Sequence, residues 1–240
     1  MTEFPAPLAE WLCSPMGEAL LGAESTLLEE QLEDVFGMEL LQLGYWGPAR
    51  QLLSGARTRA QRLVGPAADI PGADLLGRLT ELPVASGSVD AILLPHTLEI
   101  TADPQAALRE ADRVLGAEGK LLVLGFRPWS PWGLRSALTH GGFPPGLRRL
   151  LGANRLRDWL LLLGYEILEV RPYLYRWPRA RRGRTETLLP GLLRRGLANP
   201  WPAGAYLLKA RKRVYTLTPI RPRRAERSRR LMGQLVEPTT

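Results

Sequence analysis

The chain has 240 residues, an ordinary apolar share of 45% and a net charge of +8, which suits one sizeable globular domain and excludes a low-complexity chain. A single cysteine, Cys13, excludes an internal disulfide, and with only His96 and His140 beside it a Cys/His metal site is not expected. Residues 1–170 carry a net charge of −7 and residues 171–240 one of +15, so the basic excess is confined to the C-terminal part and hints at an anionic partner there.

In chain order, residues 18–36 read as an acidic amphipathic helix, with Leu21, Leu28, Leu32 and Val35 at helical spacing and Gly37 closing it. Met38–Leu43 is a short apolar run of strand length. The segment Gly44-Tyr45-Trp46-Gly47-Pro48 follows it, and a helix is expected from Pro48 to Leu53. Arg59–Val64 reads as a second strand, and residues 65–77 as loop. Ser88–Leu94 is a buried strand. Asp103 caps a helix with Ala107, Leu108, Ala111, Val114 and Leu115 on one face, ended by Gly116, and Lys120–Leu124 is a further strand. A strand, helix and strand of these lengths favour a parallel crossover. Residues 126–150 read as irregular and rich in Trp, Pro, Gly and Arg. Asn154 is expected to cap a helix with Leu156, Trp159, Leu160 and Leu163 inward, with Gly164 behind it. Glu166–Val170 and Ala205–Ala210 are late strands, and the composition after Thr218 is that of a loose tail.

A strand, a glycine turn and a helix form the usual cradle for a nucleotide-like cofactor in α/β proteins. The Gly44–Pro48 turn therefore has two readings, a cofactor loop or a purely structural turn. His96 lies just beyond a strand's carboxyl end, where ligands bind in open sheets, or is a half-buried, hydrogen-bonded histidine. Glu99 shares that loop and reads as equally suited to solvent. Asp90, inside a strand, reads as a hydrogen-bonding residue. The loop "GFRPWSPWG" offers Arg127, Trp129 and Trp132 as walls for an acceptor, or as pins to the core. Tyr173, Tyr175 and Trp177 interleave with arginines in a pattern suited to RNA, or to a solvated surface.

Three stretches together resemble class I S-adenosylmethionine-dependent methyltransferases, in particular the methyltransferase type 11 group: "ELLQLGYWGP", "LTELPVASGSVDAILLPHTLEI" and "DPQAALREADRVLGAEGKLLVLGF". The resemblance runs over about 90 residues, Met38 to Phe126. It implies an α/β fold, a Rossmann-like seven-stranded, mostly parallel sheet with helices on both faces. It also implies a domain over residues 38–213, with an N-terminal helical segment, 1–37, packed on it and a basic tail, 214–240. By resemblance, Gly44, Tyr45, Gly47, Leu79, Thr80, Leu94, Pro95 and His96 border the S-adenosyl-L-methionine site. Arg127, Trp129 and Trp132 lie on the acceptor side, and no metal is implied. Methyl transfer from a sulfonium needs alignment more than a catalytic dyad, so no catalytic residue is assigned.

Three departures from the pattern predict a cofactor bound weakly or lost. Trp46 stands at the second glycine position of the first motif and Pro48 at the third. No acid follows the second strand, where Leu63-Val64-Gly65-Pro66 stands. Arg78 replaces an Asp expected near the adenine. The expected function is methyl transfer to an unknown acceptor. The alternative is a non-catalytic member that grips RNA or another polyanion through Arg171–Arg195 and the tail. The lack of Lys or Arg before Arg50 leaves no basic start to a secretory signal, so a cytoplasmic place is expected.

Overall fold

A computed structural model describes residues 6–48, 50–65, 72–175 and 202–213. The expected basic cluster and tail fall mostly outside these residues. The elements run α1 (Ala6–Leu12), α2 (Pro15–Leu32), β1 (Phe36–Leu43), a 3-10 turn (Gln51–Leu53), β2 (Arg57–Gly65), β3 (Leu75–Leu76), β4 (Val89–Pro95), α3 (Thr97–Ile100), α4 (Pro104–Val114), β5 (Leu115–Phe126), α5 (Pro131–Leu138), α6 (Ala153–Leu162), β6 (Tyr165–Tyr173) and β7 (Ala205–Lys212).

The seven strands form one sheet in the order β3-β2-β1-β4-β5-β7-β6. Strands β1 to β5 pair in parallel, and β7 enters antiparallel between β5 and β6. This is the seven-stranded, mostly parallel sheet expected from the sequence. Successive side chains point to opposite faces, so the continuous apolar runs bury both. Leu40, Ala91, Leu93, Leu122 and Leu124 face one layer with α1 and α2. Leu41, Ile92, Leu94, Leu121 and Val123 face the other, with α4 and α6.

Local signals explain most elements. Asp103 accepts the Ala106 N–H at 2.9 Å and starts α4 as its cap. Asp90 is structural: its Oδ2 accepts the N–H groups of Met38 at 2.6 Å and Glu39 at 3.0 Å at the start of β1.

Four expectations change. The helix expected from Pro48 is only the turn Gln51–Leu53. The layer over that crossover is filled by α2, whose Ser25 hydroxyl donates to the Gln51 carbonyl at 3.2 Å and whose Glu29 backs onto Gly55. Residues 126–150 contain a helix, α5, whose N-cap Ser130 accepts the Gly133 N–H at 3.0 Å. The cap of α6 is Gly152, and Asn154 lies in its first turn. The stretch read as loop holds β3, a two-residue edge strand.

Candidate cofactor crevice

Gly44, the Leu94–His96 step and Phe126 lie at the carboxyl ends of adjacent parallel strands β1, β4 and β5, the edge where ligands bind in open α/β sheets. What occupies that edge here is side chain. Trp46 turns inward and is fully buried, as are His96 and Glu24 of α2. The His96 imidazole lies between two rings, with its centroid 4.3 Å from Trp46 and 4.2 Å from Phe126. Trp132 continues the stack on the far side of Phe126 at 5.5 Å.

The edges of this stack are polar. His96 Nδ1 meets Glu99 Oε2 at 2.8 Å, and its Nε2 meets Glu24 Oε1 at 2.9 Å. Glu24 also accepts the Trp46 indole N–H at 2.7 Å and the Tyr173 hydroxyl at 2.8 Å. The second oxygen of Glu99 accepts the N–H groups of Phe126 at 3.0 Å and Leu151 at 3.2 Å. Both ring nitrogens face carboxylate oxygens, which calls for a donor on each, and only the imidazolium has two. Burial alone pulls the imidazolium pKa down; the carboxylates of Glu24 and Glu99 overcome it and raise the value from 6.5 to about 9. Burial pushes the Glu99 carboxyl up, against the pull of His96 and the two backbone N–H groups. Burial and the neighbouring Glu24 carboxylate push the Tyr173 hydroxyl far above its usual range. His96 has φ 53, a left-handed conformation unusual for a side-chain-bearing residue, and its bonded ring fits a place where packing over-determines the backbone. Glu99 is thus not in solvent: it is 1% exposed.

The remaining candidates serve the same packing. Gly44 has φ 87, and a Cβ there would lie 3.0 Å from Thr97 Oγ1. Gly47 has φ 80, and a Cβ there would lie 2.6 Å from Leu21 of α2. The glycines that survive therefore admit neighbouring side chains. Tyr45 is half-buried, and Leu94 and Pro95 are buried within β4. Leu79 and Thr80, half-buried, form the turn between Arg78 and Glu81. Trp132 is 3% exposed and packed in the core, whereas Trp129 is 92% exposed and Arg127 is at the surface.

The methionine end of S-adenosylmethionine does not fit this arrangement. The Trp46 indole fills its place, and among the described residues no helix begins after Gly44 to turn its N–H groups toward a ligand's negative group. On the ribose side, Asp74 comes beside the end of β2 but is engaged, accepting the Leu63 N–H at 2.8 Å and pairing with Arg50 at 2.6 Å.

Sequence reasoning missed Glu24, Asp74 and Tyr173 as parts of this edge. A signal for Glu24 existed. It lies three and four residues from Leu20, Leu21, Leu27 and Leu28, so helical spacing sets an acid within the apolar face of α2.

Comparison with known proteins agrees with this frame. A methyltransferase-domain family model matches residues 48–123. The uncharacterized protein YafS of Escherichia coli (strain K12) is 34% identical over 160 residues, 66% of this chain and 62% of YafS. The uncharacterized protein Rv2003c of Mycobacterium tuberculosis is 30% identical over 199 residues, 76% of this chain and 65% of Rv2003c. The chain thus spans less than two thirds of either relative. Among solved structures, a SAM-dependent methyltransferase of Thermotoga maritima, a possible histamine N-methyltransferase, superposes with a TM-score of 0.61 at 18% identity, covering 85% of this chain and 94% of that one. The cyclase SpnF superposes at 0.53 with 23% identity, covering 80% and 81%. The sheet order and these likenesses define a protein of the class I methyltransferase fold. Within that class, the chain carries the methyltransferase domain of the type 11 group.

Proposed function

We propose that this protein is an S-adenosylmethionine-dependent methyltransferase with an unknown acceptor, acting in the cytoplasm. The reading rests on one observation: a methyltransferase domain over residues 48–123 presents the loops after β1, β4 and β5 at one sheet edge. Gly44, Tyr45, Gly47, Leu79, Thr80, Leu94, Pro95 and His96 are the proposed border of the cofactor site, with Arg127 and Trp129 toward the acceptor. Cofactor binding is weak in this reading, because Trp46 must leave its place over His96 before the methionine end can enter.

A second reading, a non-catalytic scaffold, is favoured by the completeness of the Glu24–His96–Glu99 cluster, which leaves none of these three side chains free to meet a ligand. In that reading the basic C-terminal part grips nucleic acid or another acidic partner. Calorimetry and thermal shift with millimolar S-adenosylmethionine and its demethylated product separate the two. A ligand at ~100 times its dissociation constant adds about 2.7 kcal/mol of stability. Heat and a raised melting temperature support the enzyme. Neither signal at millimolar ligand rejects it in favour of the scaffold.

A further inference from the structure

Between Glu118 and Asp158 the sequence has no acid and seven basic residues, Lys120, Arg127, Arg135, Arg148, Arg149, Arg155 and Arg157. Lys120 is tied to Asp34 at 3.0 Å, near the start of β1. The arginines follow β5, on the loops and helices beyond its carboxyl end. Among the described residues, Arg127, Arg148 and Arg149 pair with no carboxylate, and all three are exposed.

The same segment exposes large apolar groups. Trp129 is 92% exposed just before α5, and Leu134 and Leu138 of α5 are 51% and 76% exposed. The two leucines are one turn apart and so share a helix face. Beside them α5 and the Leu147–Leu150 segment enclose an open cavity of about 590 Å³, with Pro128, Ala137 and Leu147 as apolar wall and Arg148 and Arg149 also lining it.

We infer that this face docks on an anionic lipid surface, with Trp129, Leu134 and Leu138 entering the headgroup–acyl boundary and Arg127, Arg148 and Arg149 meeting lipid phosphates. A membrane surface asks for apolar insertion and positive charge together. Nucleic acid would use the arginines and the indole but gain little from two exposed leucines, since its recognition relies on phosphate contact and ring stacking. The chain's net +8 acts in the same direction. Among the described residues no helix is long and apolar enough to cross a membrane, so attachment is peripheral. The inference does not depend on methyl transfer.

The test is co-sedimentation of the full chain with vesicles of equal phosphatidylglycerol and phosphatidylcholine, against pure phosphatidylcholine. The expected result is binding to the anionic vesicles alone. The exposed pair L134E/L138E, which leaves the core untouched, should weaken that binding roughly tenfold or more. The R148E/R149E pair should weaken it at least as much, since each arginine near the surface contributes roughly fivefold. Melting temperatures of both variants should match the parent. The inference is overturned by absence of binding to anionic vesicles. It is equally overturned by binding that L134E/L138E leaves unchanged, which assigns the attraction to charge alone. Single-stranded RNA competing fully for the surface, with the leucine pair again irrelevant, would make it a nucleic-acid face.

Discussion

Glu24→Gln tests the buried cluster most sharply. Glu24 accepts three hydrogen bonds, from Trp46 at 2.7 Å, Tyr173 at 2.8 Å and His96 at 2.9 Å, within a fully buried site. The amide keeps the volume, but its NH₂ must face either the indole N–H or the His96 and Tyr173 donors. One buried donor then opposes another, and the imidazolium loses one of its two counter-charges. Breaking such a buried pair costs about 3–5 kcal/mol. For a chain of this size that lowers the melting temperature by roughly 10 °C or more. Circular dichroism melts of both proteins from pH 6 to pH 10 provide the assay. The sign follows from His96, whose folded pKa of about 9 lies above its ordinary 6.5. Its contribution is complete below pH 6.5 and disappears as pH rises through 9, and it amounts to the order of 3 kcal/mol. The gap between parent and variant should therefore narrow above pH 9. A drop of less than about 2 °C, or a gap constant with pH, refutes the cluster as drawn.

Three further outcomes are expected. Gly47→Val sets a branched side chain at φ 80 against Leu21 and should destabilise by at least about 2 kcal/mol in urea unfolding. Asp90→Ala leaves the Met38 and Glu39 N–H groups without their acceptor and should cost about 1–3 kcal/mol in the same assay, with no effect on ligand binding. Charge reversal at Arg179, Arg181, Arg182 and Arg184 should flatten the salt dependence of RNA affinity if the C-terminal part holds phosphates; a filter-binding titration with unchanged slope denies that contact.

Much of the frame was legible because it rests on local patterns. The cap at Asp103, the α4 face and the apolar runs of β1, β4 and β5 each carry their own signal. The crossover after β1 was not legible. Pro48 suits a helix start, but the layer was already taken by α2, a fact of tertiary packing. Helix α5 had Ser130 and Pro131 as start signals, but Trp132 and Gly133 within eight residues hid its period. At the site, the sequence showed Trp46 where bare backbone was wanted. It did not show that the indole folds inward. That depends on Glu24, 22 residues earlier, and Tyr173, 149 residues beyond Glu24, converging on one carboxylate.

The central claim is that Trp46, held by Glu24 and stacked on His96, occupies the methionine end of the cofactor crevice. Calorimetry of the demethylated cofactor product with the parent and with Trp46→Ala, on samples whose fold is checked by circular dichroism, measures this directly. The account predicts weak binding by the parent and binding at least about tenfold tighter by the variant, since binding no longer requires displacing a buried indole. Micromolar binding by the parent that weakens in Trp46→Ala would contradict it, and would make Trp46 a ligand contact.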